Sequence, residues 1–326
     1  MTFCSALPDL TAITAASSAV YDILPPTPQY RWPLLEALLG TELWIKHENH
    51  TPTGAFKART AAAYVADVIV RSPETPGFIA ATRGNHGQAV TLAALRAGRS
   101  CTIVVPRGNC PEKNAAMRAQ GATLVEYGDD FQAAKDHARQ LSVTEHLHMV
   151  PSYHPLIVAA VASYWLELFR AVPDIDVAYV GIGQGSGICA AIAAREALGL
   201  KTELIGVVSD HAPAYALSVA KGVAVDAPVS TKLADGLACR VPDPSSLAVI
   251  MAHNIAIRRV TDAQVADAMR HYFSATHNVV EGAGAAPLAA ALADRAALKG
   301  RRVAVIACGG NVSSALFARI LAGGEQ

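Results

Sequence analysis

Thr53-Gly54-Ala55-Phe56-Lys57-Ala58-Arg59 stands where a strand-like run, Leu43-Trp44-Ile45-Lys46-His47-Glu48, gives way to an alanine-rich helical stretch. A glycine turn between a short β-rich run and a helix-length run marks the strand-to-helix junction of a crossover unit. The same punctuation recurs along the chain. Strands are expected at residues 43–47, 78–81, 101–105, 123–127, 177–181, 204–208 and 303–307. Helices are expected at 58–70, 85–97, 131–142, 155–171, 187–198 and 262–276. Such alternation predicts an α/β protein whose parallel sheets are wound by right-handed crossovers. Unbroken apolar runs such as Thr102-Ile103-Val104-Val105 and Val303-Ala304-Val305-Ile306 predict strands covered on both faces.

Length and charge narrow the rest. A chain of 326 residues exceeds one comfortable core, so two lobes are expected. No Pro/Ser/Gly linker divides them, and Pro25-Pro26 and 242–244 read as surface turns. The expected division is therefore interleaved: 54–152 as a small domain, with 1–53 and 153–326 forming a large one. Lysine plus arginine equal aspartate plus glutamate, 27 against 27, which gives no field for nucleic acid or anionic membrane. No basic residue precedes Arg31 and no apolar run reaches spanning length, so a cytoplasmic protein acting on a small molecule is expected. The cysteines Cys4, Cys101, Cys110, Cys189, Cys239 and Cys308 are scattered without a C-x-x-C pair, and reduced thiols are expected. His146, His148 and His154 match no ligand spacing and read as surface and loop residues, so no metal site is expected.

Four segments carry chemistry. Lys57 follows Phe56, and burial beside an aromatic lowers an amine pKa toward nucleophilic use; a solvated lysine at a helix start is the commoner reading of this segment alone. Gly183-Gln184-Gly185-Ser186-Gly187 follows an apolar strand and opens a helix, where backbone N–H groups and the helix dipole suit a phosphate. It lacks the G-K-[ST] of a nucleotide-triphosphate loop and the spacing of a dinucleotide fingerprint, although Asp210 keeps a weak nicotinamide reading open. Thr82-Arg83-Gly84-Asn85-His86-Gly87-Gln88 forms a second strand-to-helix junction that can grip a carboxylate, or merely cap a helix with His86 on the surface. Cys308-Gly309-Gly310-Asn311 ends the last strong strand, at the sheet edge where α/β proteins bind ligands; a core cysteine is the competing reading.

Together these segments resemble the fold-type II pyridoxal phosphate (PLP) enzymes, in particular the serine/threonine dehydratase and serine racemase branch, from about residue 26 to Asn311. The matching motifs are T-G-S-F-K-x-R at 53–59, S-x-G-N-H-x-Q at 82–88, a tetraglycine loop at 183–186 and S/C-G-G-N at 308–311. Ala234-Asp235-Gly236 and Glu281-Gly282-Ala283-Gly284 also fall where the family has A-D-G and a glutamate before a small-residue turn. The resemblance implies that Lys57 forms the Schiff base, Phe56 packs by the ring and Asn85 faces its phenolic oxygen. It implies that Gly183, Gln184, Gly185, Ser186, Gly187 and Gly236 hold the cofactor and that Cys308 faces the pyridine nitrogen. Thr82, Arg83, Gly84, Asn85 and His86 would take the substrate. It further implies a tryptophan-synthase-β-like two-lobed fold, a homodimer, and β-elimination from a β-hydroxy α-amino acid such as serine, threonine or 3-hydroxyaspartate.

Three departures qualify that picture. Arg83 stands where racemases carry a serine that moves a proton, and a guanidinium is a poor acid or base. Two readings of it stand: a clamp for a distal carboxylate, or an arginine paired with a surface acid. Ser209-Asp210-His211-Ala212-Pro213-Ala214-Tyr215 lacks the acidic residues of the racemase-like cation site. Ala55, Gln184 and Ser186 replace a serine and two glycines. A racemase, a β-replacement enzyme or a non-catalytic PLP-binding protein are the alternatives, and no C-terminal regulatory domain is expected.

Overall fold

The structure is a computed structural model that describes residues 7–324; Cys4 lies outside the described residues. In chain order the helices are α1 (Leu10–Tyr21), α2 (Pro33–Leu39), α3 (Lys57–Arg71), α4 (Asn85–Arg96), α5 (Pro111–Ala119), α6 (Phe131–Thr144), α7 (Pro155–Ala171), α8 (Ser186–Ala197), α9 (Ala214–Lys221), α10 (Pro244–Ala252), α11 (Asp262–Thr276), α12 (Gly282–Ala293) and α13 (Ser314–Leu321). The strands are β1 (Gln29–Arg31), β2 (Leu43–Lys46), β3 (Gly77–Ala81), β4 (Ser100–Val105), β5 (Thr123–Glu126), β6 (His148–Met149), β7 (Val177–Gly181), β8 (Glu203–Ser209), β9 (Ala256–Val260) and β10 (Val303–Ile306).

The strands form two sheets, a six-stranded one ordered β1-β2-β10-β7-β8-β9 and a four-stranded one ordered β5-β4-β3-β6. Every pairing is parallel except β1 with β2. β10 sits between β2 and β7, with Val303 opposite both Leu43 and Val177, so the first and last motif-bearing strands are neighbours. β3 and β10 are buried throughout, as strands covered on both faces should be.

The long helix α7 is the common wall. Pro155 begins it, the His154 ring accepts from the Leu156 N–H at 3.2 Å, and its aromatic stack of Tyr164, Trp165 and Phe169 is buried. One continuous apolar core contains these rings together with Phe78 and Ile103 of the smaller sheet and Val180 and Ile192 from the larger sheet's side. A second core, on the opposite face of the six-stranded sheet, joins Ile45, Tyr179 and Val305 to Met269, Tyr272 and Leu288 of α11 and α12.

Every strand and helix expected from the sequence is present, with ends shifted by at most two residues. Three strands were not expected. β6 has two residues, β1 three, and β9 carries two consecutive arginines at a sheet edge, so none shows a strand-length apolar run. Glu281 precedes a helix, α12, rather than an isolated turn. The histidine reading also needs correction: His146 is exposed, but His148 lies in β6 against Tyr64 (3.2 Å) and His154 caps α7.

Candidate active site

Local turn chemistry brings the first and last motifs together. Gly54 adopts a positive φ of 67°, and its N–H reaches back to the Thr51 carbonyl at 2.9 Å. The Thr51 hydroxyl donates to the Ala55 carbonyl (2.7 Å) and accepts from the Ala55 N–H (2.9 Å), which tightens the turn. The backbone then runs beside the end of β10. Ala55 bridges Gly309, Phe56 N–H donates to the Cys308 carbonyl at 3.0 Å, and Gly310 N–H donates to the Gly54 carbonyl at 2.8 Å. Lys57, the first residue of α3, therefore stands next to Cys308.

The Lys57 amine lies 5.0 Å from the Phe56 ring centroid and makes no hydrogen bond or ion pair among the described residues. Burial lowers its pKa from 10.5 to about 8, with the Cys308 sulfur opposing that shift. Cys308 is itself pushed well above the ordinary thiol range, first by burial and then by Glu281, so it stays a neutral thiol.

The 82–88 loop joins through a hydrogen-bonded chain. Asn311 Nδ2 donates to the Thr53 carbonyl and to Asn85 Oδ1, both at 2.8 Å. Asn85 Nδ2 donates to Glu281 Oε1 at 2.7 Å, and Glu281 N–H donates to the Gly309 carbonyl at 2.9 Å. Glu281 is 7% exposed, and burial raises its pKa from the ordinary carboxylate value, with Lys113 and the Asn85 hydrogen bond opposing. Thr82 is buried, and its hydroxyl oxygen accepts from the Gly84 N–H at 3.0 Å, which leaves the hydroxyl proton free to donate elsewhere.

His86 is buried rather than on the surface. Its Nε2 lies 3.4 Å from the Val150 carbonyl, and its Nδ1 is a buried atom without a partner. Burial, then the nearby Lys57, lower its pKa to about 4, so the ring is neutral. Arg83 is exposed and forms no ion pair among the described residues, so it is not paired with a surface acid.

The glycine segment caps α8. Gly185 is the N-cap residue at φ 93°, and the first helical bond runs from Cys189 N–H to the Gly185 carbonyl at 3.0 Å. Helix geometry thus leaves the N–H groups of Ser186, Gly187 and Ile188 without intrahelical acceptors. A methyl at Gly183 would collide with the Gly236 carbonyl, and one at Gly185 with the Ser246 side chain. The cradle therefore admits only glycine at both positions. Ser186 is buried; Gln184 is exposed and turns its amide toward Cys239 Sγ at 3.6 Å. A cavity of about 120 Å³ opens alongside, lined by Lys113, Asp235, Gly236, Glu281 and Asn311 among others.

Two participants were absent from the expected site residues. Glu281 and Asn311 link three of the four motifs, although the sequence marks them only as members of matching runs. An acid set between Val279-Val280 and Gly282-Ala283 is the signal that could have flagged Glu281, because such surroundings bury it. Among the described residues no group of three His, Cys, Asp or Glu side chains could hold a metal ion.

A part-buried lysine of lowered pKa beside a neutral thiol, with free N–H groups at a helix start, suits a phosphorylated carbonyl cofactor. The chain belongs to the family of pyridoxal-phosphate dependent enzymes, which matches residues 20–309. It is 30% identical over 289 residues to an L-threonine ammonia-lyase of Thermotoga maritima, covering 88% of this chain and 72% of that protein. It is also 30% identical to an L-threo-3-hydroxyaspartate ammonia-lyase of a Pseudomonas species, covering 91% and 93%. The fold matches the processed form of threonine deaminase isoform 2 from Solanum lycopersicum with a TM-score of 0.88 at 26% identity, covering 97% of this chain and 90% of that one.

Proposed function

We propose that this protein is an ammonia-lyase that dehydrates a β-hydroxy α-amino acid to a 2-oxo acid and ammonia. The observation that carries the reading is the Lys57 amine, desolvated and unpartnered, meeting the 82–86 loop and Cys308 in one patch. The names of the relatives that act on L-threonine and on L-threo-3-hydroxyaspartate support the lyase class.

When bound, pyridoxal phosphate supplies an electron sink for negative charge at the substrate Cα. Gly183, Gln184, Gly185, Ser186 and Gly187, with Gly236 beside them, would hold its phosphate. Phe56 would pack beside the ring, Asn85 would face its phenolic oxygen, and Cys308 its nitrogen. The remaining steps belong to the chain. The Lys57 amine, with a pKa of about 8, has an unprotonated fraction at neutral pH and removes the Cα proton. The free Thr82 hydroxyl proton and the N–H groups at the start of α4 hold the α-carboxylate. The proton that Lys57 took from Cα balances the departing β-hydroxyl, which leaves as water, and the released enamine hydrolyses to the 2-oxo acid and ammonia.

Arg83 extends the reading to the substrate. It is exposed and without an acid, next to the residues that take the α-carboxylate, and it would receive a second carboxylate bidentately. Its charge also argues against the racemase alternative, because a guanidinium does not exchange protons in this range. The reading includes the interleaved two-lobe division near residues 54–152, supported by β3 to β6 all falling within it, and a cytoplasmic homodimer.

Serine, threonine and 3-hydroxyaspartate, each as resolved stereoisomers, provide the test, with 2-oxo acid and ammonia as readouts. Lys57→Ala should abolish turnover on the active substrate. Retained activity in that variant, or enantiomer formation without 2-oxo acid, would overturn the assignment.

A further inference from the structure

Two residues beyond Lys57, a neutral cluster of four charged side chains is buried beneath the site. Arg59, Glu48 and Lys46 are each 0% exposed. All of the Arg59 nitrogens are engaged. Nε donates to Glu48 Oε2 (2.8 Å), and Nη1 to Glu167 Oε1 (2.7 Å) and Ser163 Oγ (2.9 Å). Nη2 donates to Glu48 Oε1 (2.9 Å), Glu167 Oε2 (3.1 Å) and Thr27 Oγ1 (3.3 Å). Lys46 Nζ completes the set on Glu167 Oε2 (2.5 Å), the Thr27 carbonyl (2.6 Å) and Gln29 Oε1 (3.1 Å).

These partners come from five separate parts of the fold: the Thr27 turn, β1, β2, the 3-10 turn Glu48–His50 that follows it, and α7. Burying two cations and two anions is costly, and well-packed apolar residues commonly stabilise a core as well or better. Stability alone is a weak reason for such a cluster. Its position supplies another. α3 starts at Phe56 without a side-chain cap; backbone contacts of Ala55 and Phe56 hold its start to the end of β10, and Arg59 adds the side-chain tie of its first turn to Glu48 and to α7. The guanidinium also lies 5.7 Å from the Tyr164 ring centroid, the Tyr164 ring meets Phe56 edge-on at 6.3 Å, and Phe56 carries the Lys57 amine at 5.0 Å.

We infer that Arg59 is a positioning residue for Lys57, holding the start of α3 and the Tyr164–Phe56 ring pair so that the amine swings on a fixed backbone in a dry setting. The inference rests on the reading that Lys57 carries the reaction. Chemistry on a group that leaves and returns to one position depends on a backbone that stays put, and a misplacement of about 1 Å costs on the order of 100-fold in rate. Lysine cannot reproduce the two-carboxylate fork that Arg59 makes.

The test measures the Lys57 pKa in the cofactor-free protein by competitive acylation across pH, reading the Lys57 peptide by mass spectrometry. The charged or titratable groups that face this amine are Cys308 at the end of β10 and His86 on α4, both neutral over the working range. In Arg59→Lys, water entering around a loosened Phe56 should raise the Lys57 pKa by a unit or more toward 10.5. In the loaded enzyme kcat should fall ten- to a hundred-fold, with KM changed less than about two-fold. A variant that melts earlier but keeps the wild-type Lys57 pKa and kcat would overturn the inference, because that is what a purely structural cluster predicts. Should Arg59→Lys fail to fold, Tyr164→Leu removes the ring contact while keeping the ion cluster, and the same two outcomes decide. The acylation arm needs no substrate, so an inactive wild-type protein would overturn the lyase reading without deciding this one.

Discussion

Lys57 concentrates the physics of the site in one amine. Its depressed pKa has a consequence for the cofactor-free protein. Between pH 8 and 10.5 the unfolded chain holds a proton on Lys57 that the folded chain has lost, so this residue makes stability rise with pH across that window. Lys57→Met should therefore stabilise the cofactor-free protein at pH 7, by roughly 2–3 kcal/mol, and the gain should shrink toward pH 10.5. Urea melts at the two ends of the window measure this directly. Gly185 makes a second prediction at the same scale. At φ 93°, and with Ser246 where a methyl would go, Gly185→Ala should weaken cofactor binding at least ten-fold, read by titrating the visible band. Arg83→Ala should raise KM about ten-fold or more for a substrate with a side-chain carboxylate and leave serine or threonine nearly unchanged. Equal effects on both classes would remove Arg83 from substrate recognition. At this scale Lys57, Thr82 and Cys308 were legible because each sits at a strand-to-helix junction or strand end. The sequence could not say what Asn85 touches: its link to Glu281 joins residues 196 positions apart.

Among the strands, those buried on both faces were the most legible. β3, β7 and β10 stand out as apolar runs because helices cover both of their faces. β1, β6 and β9 do not, since edge strands carry polar side chains and take their definition from the neighbour they pair with. Helices α1, α9 and α13 were missed for a related reason. Their alanine, serine and threonine content, or their short length, gives weak periodicity until tertiary contacts decide. The same dependence on neighbours governs α12, whose first residue follows Glu281. Glu281→Ala would leave the half-buried Asn85 amide without this acceptor, at a cost of about 1 kcal/mol. Glu281→Gln can keep an oxygen facing Asn85 and should retain most of that stability. Thermal melts of the two variants separate the hydrogen bond from the charge.

In the whole molecule, the site lies where two sheets meet. The motifs are drawn from the ends of β3, β7 and β10 and from the turn after β2, so no single contiguous segment contains it. α5 makes long-range polar contacts: Glu112 accepts from Ser314 N–H at 3.1 Å and from its hydroxyl at 2.7 Å, and Lys113 Nζ lies 3.4 Å from Asp235 Oδ2. These are largely exposed pairs of small energetic worth. The most direct test of the central claim is borohydride reduction of the protein loaded with pyridoxal phosphate, followed by peptide mass spectrometry. The account predicts a single reduced cofactor adduct on the peptide bearing Lys57, lost when an active β-hydroxy amino acid is present during turnover. An adduct on another lysine, or none on a protein that still releases 2-oxo acid, would contradict it.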